Sequence, residues 1–99
     1  MDKKLDFKTF KEEALQNAAF KSEYEKLRAE FELVRQFIKA RKKAKVSQEV
    51  LAERLKLQQS AIARLEGGGY AKTSIANLSK IASALGYSLE VSLKVKKRD

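Results

Sequence analysis

The sequence contains no cysteine and no histidine. Without cysteine there is no disulfide framework, and thiolate nucleophiles and the usual zinc sites go with it. Without histidine the side chain that most often moves protons near neutral pH is missing. The acids that remain, such as Glu12 and Glu13, are scattered along helical stretches without a metal-site arrangement, so an enzyme is not expected and neither is a cofactor. No apolar run approaches the roughly 18 residues of a membrane span, and no signal-peptide pattern is present, which points away from membrane insertion or export. A triple glycine, Gly67-Gly68-Gly69, lacks the Gly-Lys-Ser/Thr ending and the preceding strand of a nucleotide-binding loop. It reads instead as helix termination followed by a flexible turn carrying Tyr70 and Lys72.

Negative charge is also short in supply: 22 Lys and Arg stand against 13 Asp and Glu, a formal charge of +9. The excess is unevenly placed. Residues 1–33 carry seven basic and eight acidic side chains, whereas residues 34–99 carry fifteen and five. A basic field confined to the second part favours contact with phosphates and fast encounter with nucleic acid, a merely well-solvated surface being the plainer alternative. At 99 residues the chain is sized for one small domain, so a second copy or another partner is expected to complete its core.

What is present is strong helical periodicity. Phe7, Phe10, Ala14 and Leu15 share one face of a short first helix ending near Asn17. Phe20, Tyr24, Leu27, Phe31, Val34 and Ile38 then form a continuous stripe on a long helix from about Ala19 to Lys43. Its later part, with Phe31, Val34, Phe37 and Ile38, is expected to pack on Leu51, Leu55 and Leu78. The earlier apolar residues are surplus to that core. Either the first helix folds back over the second as a hairpin, or the exposed face binds a partner, and the two can coexist.

The stretch Val46 to Gly68 reads as two short helices folded across a tight turn. Ser47 is placed to cap the first, with Val46 packing on Leu51 as a hydrophobic staple. Val50, Leu51 and Leu55 form its apolar face, and Ala52 is the small residue that a close helix crossing requires. Only Lys56, Leu57 and Gln58 remain for the turn. The second helix, Gln59 to Glu66, buries Ile62 and Leu65 and so turns Gln59, Ser60, Ala63 and Arg64 outward. Thr73 or Ser74 then caps a helix bearing Ile75, Leu78, Ile81, Ala82 and Leu85, closed by Gly86. In the tail, Tyr87, Leu89, Val91, Leu93 and Val95 alternate with polar residues, the period of a half-buried strand. No second strand is evident, so the tail is expected to pair with its own copy across a two-fold axis.

Gln48, Leu51-Ala52-x-x-Leu55, Gln59-Ser60-x-Ile62 and Leu65-Glu66-x-Gly68, followed by Ile75-x-x-Leu78-x-x-Ile81-Ala82-x-x-Leu85-Gly86, resemble the Cro-type (XRE) helix-turn-helix domain. The resemblance runs from about Val34 to Gly86. It implies a mainly α, lambda-repressor-like helix-turn-helix bundle, here with an N-terminal helical extension (residues 1–33) and a C-terminal dimerising β-strand and basic tail (residues 87–99). Lys56 stands where the turn commonly has Gly, and Gln58 where Ser or Thr usually caps the recognition helix. The implied function is binding of palindromic operator DNA by a homodimer in the cytoplasm. Gln59, Ser60, Ala63 and Arg64 would face base edges, while Gln48, Gln58 and Lys72 would meet phosphates. Beside this unit the basic run Arg41, Lys42, Lys43 and Lys45 offers further phosphate contacts, through Arg41 and Lys43 among them, a merely solvated charge run being the plainer alternative. Tyr87, Leu89, Val91 and Leu93 would form the dimer contact.

A Phe-rich helical extension ahead of such a domain, with FKSEYEKLRAEFELVRQFIKARKKAKVSQEVLAERL running through, looks like the HigA-type antitoxins of bacterial toxin–antitoxin systems. Members of that family neutralise a RelE-like, ribosome-dependent mRNA-cleaving toxin (HigB) and repress their own operon. By that resemblance Phe7, Phe10, Leu15, Phe20, Tyr24 and Leu27 would hold the toxin. A free-standing phage-type or metabolic repressor is the rival reading, and a protein-interaction module without DNA binding the third.

Overall fold

The computed structural model describes residues 18–96, so the expected first helix, with Phe7, Phe10 and Leu15, lies outside the described residues. Four α-helices and one short 3-10 helix follow in order: α1 (Ala18–Lys43), α2 (Gln48–Leu55), α3 (Gln59–Glu66), η1 (Gly69–Lys72) and α4 (Ile75–Ala84). None of the described helices is long and apolar enough to cross a membrane.

The ends of these helices are set locally. The Ser47 hydroxyl accepts from the Val50 amide at 3.0 Å, and the Ser74 hydroxyl accepts from the Asn77 amide at 3.1 Å, so each caps its helix start. Gln58 precedes α3 without a side-chain cap. At the far end of α2, Lys56 takes a left-handed conformation (φ 58°), the strained turn that a lysine in the glycine position implies. Gly86 closes α4 at φ 83°. The Arg54 guanidinium donates to the Ala84 carbonyl at 2.8 Å, tying α2 to the open carbonyl end of α4.

The core joins Val34 and Phe37 of α1, Val46, Leu51 and Ala52 around α2, Ile62 of α3, Tyr70 of η1, and Leu78, Ile81, Ala82 and Leu85 of α4. Leu51 and Ile62 have no exposed surface, and each such side chain contributes about 1.5–3 kcal/mol through burial. The Phe37 and Tyr70 rings stack with centroids 4.4 Å apart. That contact corrects the reading of residues 67–72 as a flexible turn. Gly69 permits it, since a Cβ there would stand 3.0 Å from the Arg64 carbonyl oxygen.

Two further expectations are corrected. Phe31 is 71% exposed and lies outside the core, because α1, about 39 Å long by its 26 residues, outreaches the bundle it packs on and first buries a side chain at Val34. The expected C-terminal dimerising β-strand is also absent: residues 87–96 form no strand, and no ladder exists among the described residues. Leu89 rests on the core, while Leu93 and Val95 are each 97% exposed. Alternation assigns side chains to two faces, but a strand also needs backbone partners, and the described residues supply none.

Candidate nucleic-acid interface

The N-termini of α2 and α3 meet at two glutamines. The Gln59 side-chain amide donates through Nε2 to Gln48 Oε1 at 2.9 Å, and Gln48 Nε2 in turn donates to Glu66 Oε1 at 2.8 Å. The Glu66 carboxylate also receives the Arg41 fork, Nε at 2.5 Å and Nη2 at 3.1 Å, and Arg41 Nη1 donates to the Val46 carbonyl at 2.9 Å. One hydrogen-bonded line therefore runs from the C-terminal part of α1 to the first residue of α3.

The chemistry of the line fixes its polarity. An ionised carboxylate only accepts, so Gln48 must turn its NH2 toward Glu66 and its Oε1 toward Gln59. Gln59 must then donate to Gln48, which leaves its own Oε1 and one N–H for an outside partner. Burial pushes the Glu66 carboxyl up, but the hydrogen bonds from Arg41 and Gln48 and the nearby Arg41 and Lys42 charges outweigh it and hold the group below the ordinary carboxylate range. The hydrogen bond to Glu66 likewise raises Arg41 above the ordinary arginine value, against the opposing effect of burial. The pair is charged across the ordinary pH range, with side chains 12% and 7% exposed.

The other side chains expected at this surface fall into three groups. Gln59, Ser60, Ala63 and Arg64 are all exposed along one side of α3, opposite Ile62. Gln58 and Lys72 are exposed, Lys43 is exposed beside a cleft that it lines with Leu85 and Tyr87, away from α3, and Gln48 is half-buried against Gln59. Arg41 departs from its expected phosphate role: its guanidinium is committed inward to Glu66 and Val46, because an unpaired Glu66 at that depth would carry a large desolvation cost. Sequence reasoning read Arg41 as part of a basic run and gave Glu66 no function. The only available signal was an acidic residue inside a strongly basic half of the chain.

On α1 the apolar stripe runs outward from the bundle. Phe20 and Tyr24 stack at 6.4 Å, Leu27 is 50% exposed, and Phe31 more so. Of the four tail residues expected at a dimer contact, Leu89 is half-buried, while Tyr87, Val91 and Leu93 are exposed.

Two short helices, α2 and α3, packed together across a three-residue turn with Ala52 buried and the outer face of α3 left open, define a helix-turn-helix unit. The Helix-turn-helix family model matches residues 37–91, and the chain belongs to this XRE-type family of DNA-binding regulators, which are not enzymes. No curated protein and no solved structure matches the chain.

Proposed function

We propose that this regulator is a sequence-specific repressor that inserts α3 into the major groove of operator DNA. The observation that carries the reading is the oriented amide of Gln59. Its remaining N–H and Oε1 form a donor–acceptor pair that complements adenine N7 and N6–H2, and the hydrogen-bonded line to Arg41 holds that pair in advance. Arg64 is available for guanine O6 and N7, with Ser60 and Ala63 near base edges or a thymine methyl. Gln48, Gln58, Lys72 and Lys43 supply phosphate contacts. Two copies are needed for a palindrome, with half-sites about 10 bp or a multiple apart. A bacterial cytoplasmic, nucleoid-associated location follows from operator binding.

A second reading is favoured by one observation: Leu27 and Phe31 present an apolar surface on the part of α1 that reaches beyond the bundle. In that reading residues 1–33 neutralise a RelE-like, HigB-type toxin, as the HigA resemblance implies, and the protein is an antitoxin that represses its own operon. Co-expression with a RelE-like toxin encoded beside it separates the two. The antitoxin reading expects growth rescue by the native protein and loss of rescue by Leu27→Glu with Phe31→Glu, with DNA binding retained. Failure of the native protein to rescue leaves the free-standing repressor.

A further inference from the structure

Three of the described helices end in the same way. After α1, the Val46 amide donates back to the Arg41 carbonyl at 3.1 Å with Lys45 at φ 59°. After α2, the Leu57 amide donates to the Ala52 carbonyl at 2.8 Å with Lys56 at φ 58°. After α4, the Tyr87 amide donates to the Ala82 carbonyl at 2.8 Å with Gly86 at φ 83°. This six-to-one closure requires a left-handed residue, and glycine occupies it without steric cost. The chain uses glycine at α4 and lysine at the other two, where a Cβ is strained.

The two lysines share a second property. Each stands three residues ahead of one of the paired glutamines: Lys45-Val46-Ser47-Gln48 and Lys56-Leu57-Gln58-Gln59. In both segments a left-handed lysine leads into an extended cap and then the first helical residue. The glutamine side chains are 2.9 Å apart, so both strained turns lead, three residues on, to the point where α3 meets its proposed target. Both lysines are exposed, and neither forms an ion pair among the described residues. Within the described fold, their charge has only the open carbonyl ends of α1 and α2 to act on. Backbone strain that glycine would relieve, kept at two equivalent positions beside a recognition surface, marks a functional requirement for the side chain.

We propose that Lys45 and Lys56 are paired phosphate clamps, holding the DNA backbone on either side of the base step that Gln59 addresses. The proposal rests on the DNA-binding reading above and extends it to two residues selected for charge over backbone comfort. A lysine on phosphate releases condensed counterions and so steepens the salt dependence of binding by about 0.9 per contact.

The test uses the full chain with Lys45→Gly and Lys56→Gly together, and Lys21→Ala with Lys26→Ala as an equal loss of charge on the outlying part of α1. The probe is a fluorescent random-sequence duplex, titrated across a salt series, because phosphate contacts do not require the operator. Melting temperature is measured alongside. The expected result is a higher melting temperature for the glycine variant and a log–log salt slope shallower by about 1.8 per bound copy, with the slope of the α1 variant unchanged. A glycine variant with the native slope overturns the lysine proposal and leaves the DNA reading standing. A lower melting temperature also overturns it, since the lysines would then serve the helix ends they follow. No salt-dependent binding by the native protein overturns the DNA reading and the lysine proposal together.

Discussion

Replacing Tyr70 with phenylalanine should stabilise this protein, and by an amount that depends on pH in a calculable way. Tyr70 has no exposed surface, and its hydroxyl oxygen is buried without a hydrogen-bond partner among the described residues. An unsatisfied buried hydroxyl costs about 1–3 kcal/mol, while the ring stacked on Phe37 is kept by the substitution. At neutral pH the variant should gain about 1 kcal/mol, which for a domain of this size raises the melting temperature by roughly 4–8 °C. Burial, reinforced by the Glu66 charge and opposed by Arg41, raises the Tyr70 hydroxyl from 10.0 to about 12. A group whose folded pKa is raised gives full stability below its unfolded value and loses it as pH climbs toward the folded one. The native protein therefore loses about 2 kcal/mol through Tyr70 between pH 10 and 12, the larger part of a two-unit shift at 1.36 kcal/mol per unit, and the phenylalanine variant does not. Denaturant unfolding of both proteins across that range isolates the effect, because every other titrating group is common to them. A stability difference that stays flat with pH, or a variant less stable at neutral pH, would mean that the Tyr70 hydroxyl is not an unsatisfied buried group.

Two other substitutions follow from the same core. Glu66→Gln leaves the Arg41 charge buried without its partner and should cost about 3 kcal/mol in urea unfolding. Because the Glu66 carboxyl is depressed on folding, its contribution should be complete above about pH 4.5 and vanish as pH falls through the lowered value, so the native and variant acid limbs should converge there. Gly86→Ala meets no neighbouring atom but forces a side chain to φ 83°, so a loss of about 1–2 kcal/mol without any change in the denaturant slope is the expected outcome.

The helix-turn-helix was legible because its determinants are local. Ser47, Ser74 and Gly86 mark helix ends from their immediate surroundings, and Leu51, Leu55 and Ile62 recur at helical spacing, so α2, its turn and α3 stand where the pattern puts them. The missed features depend on residues distant in sequence. Arg41 looks like one cation in a basic run, and only folding brings it to Glu66, 25 positions away. Tyr70 follows three glycines and resembles loop, yet its ring fills the space beside Phe37. Phe31 continues a stripe whose period says which face it occupies but not where the bundle stops. The tail failed for the related reason that alternation carries no information about a backbone partner.

Base reading by α3 is assigned to Gln59 and Arg64. The most direct test is to enrich a preferred duplex from a randomised pool with the native protein, then measure its affinity for Gln59→Ala with Arg64→Ala at fixed salt. At about 1–3 kcal/mol for each bidentate contact, the double variant should bind that sequence about 30-fold to 10⁴-fold more weakly, with its melting temperature and weak random-sequence binding retained. A double variant that holds the enriched sequence within about threefold of the native affinity, well under 1.4 kcal/mol, would contradict the assignment of this face.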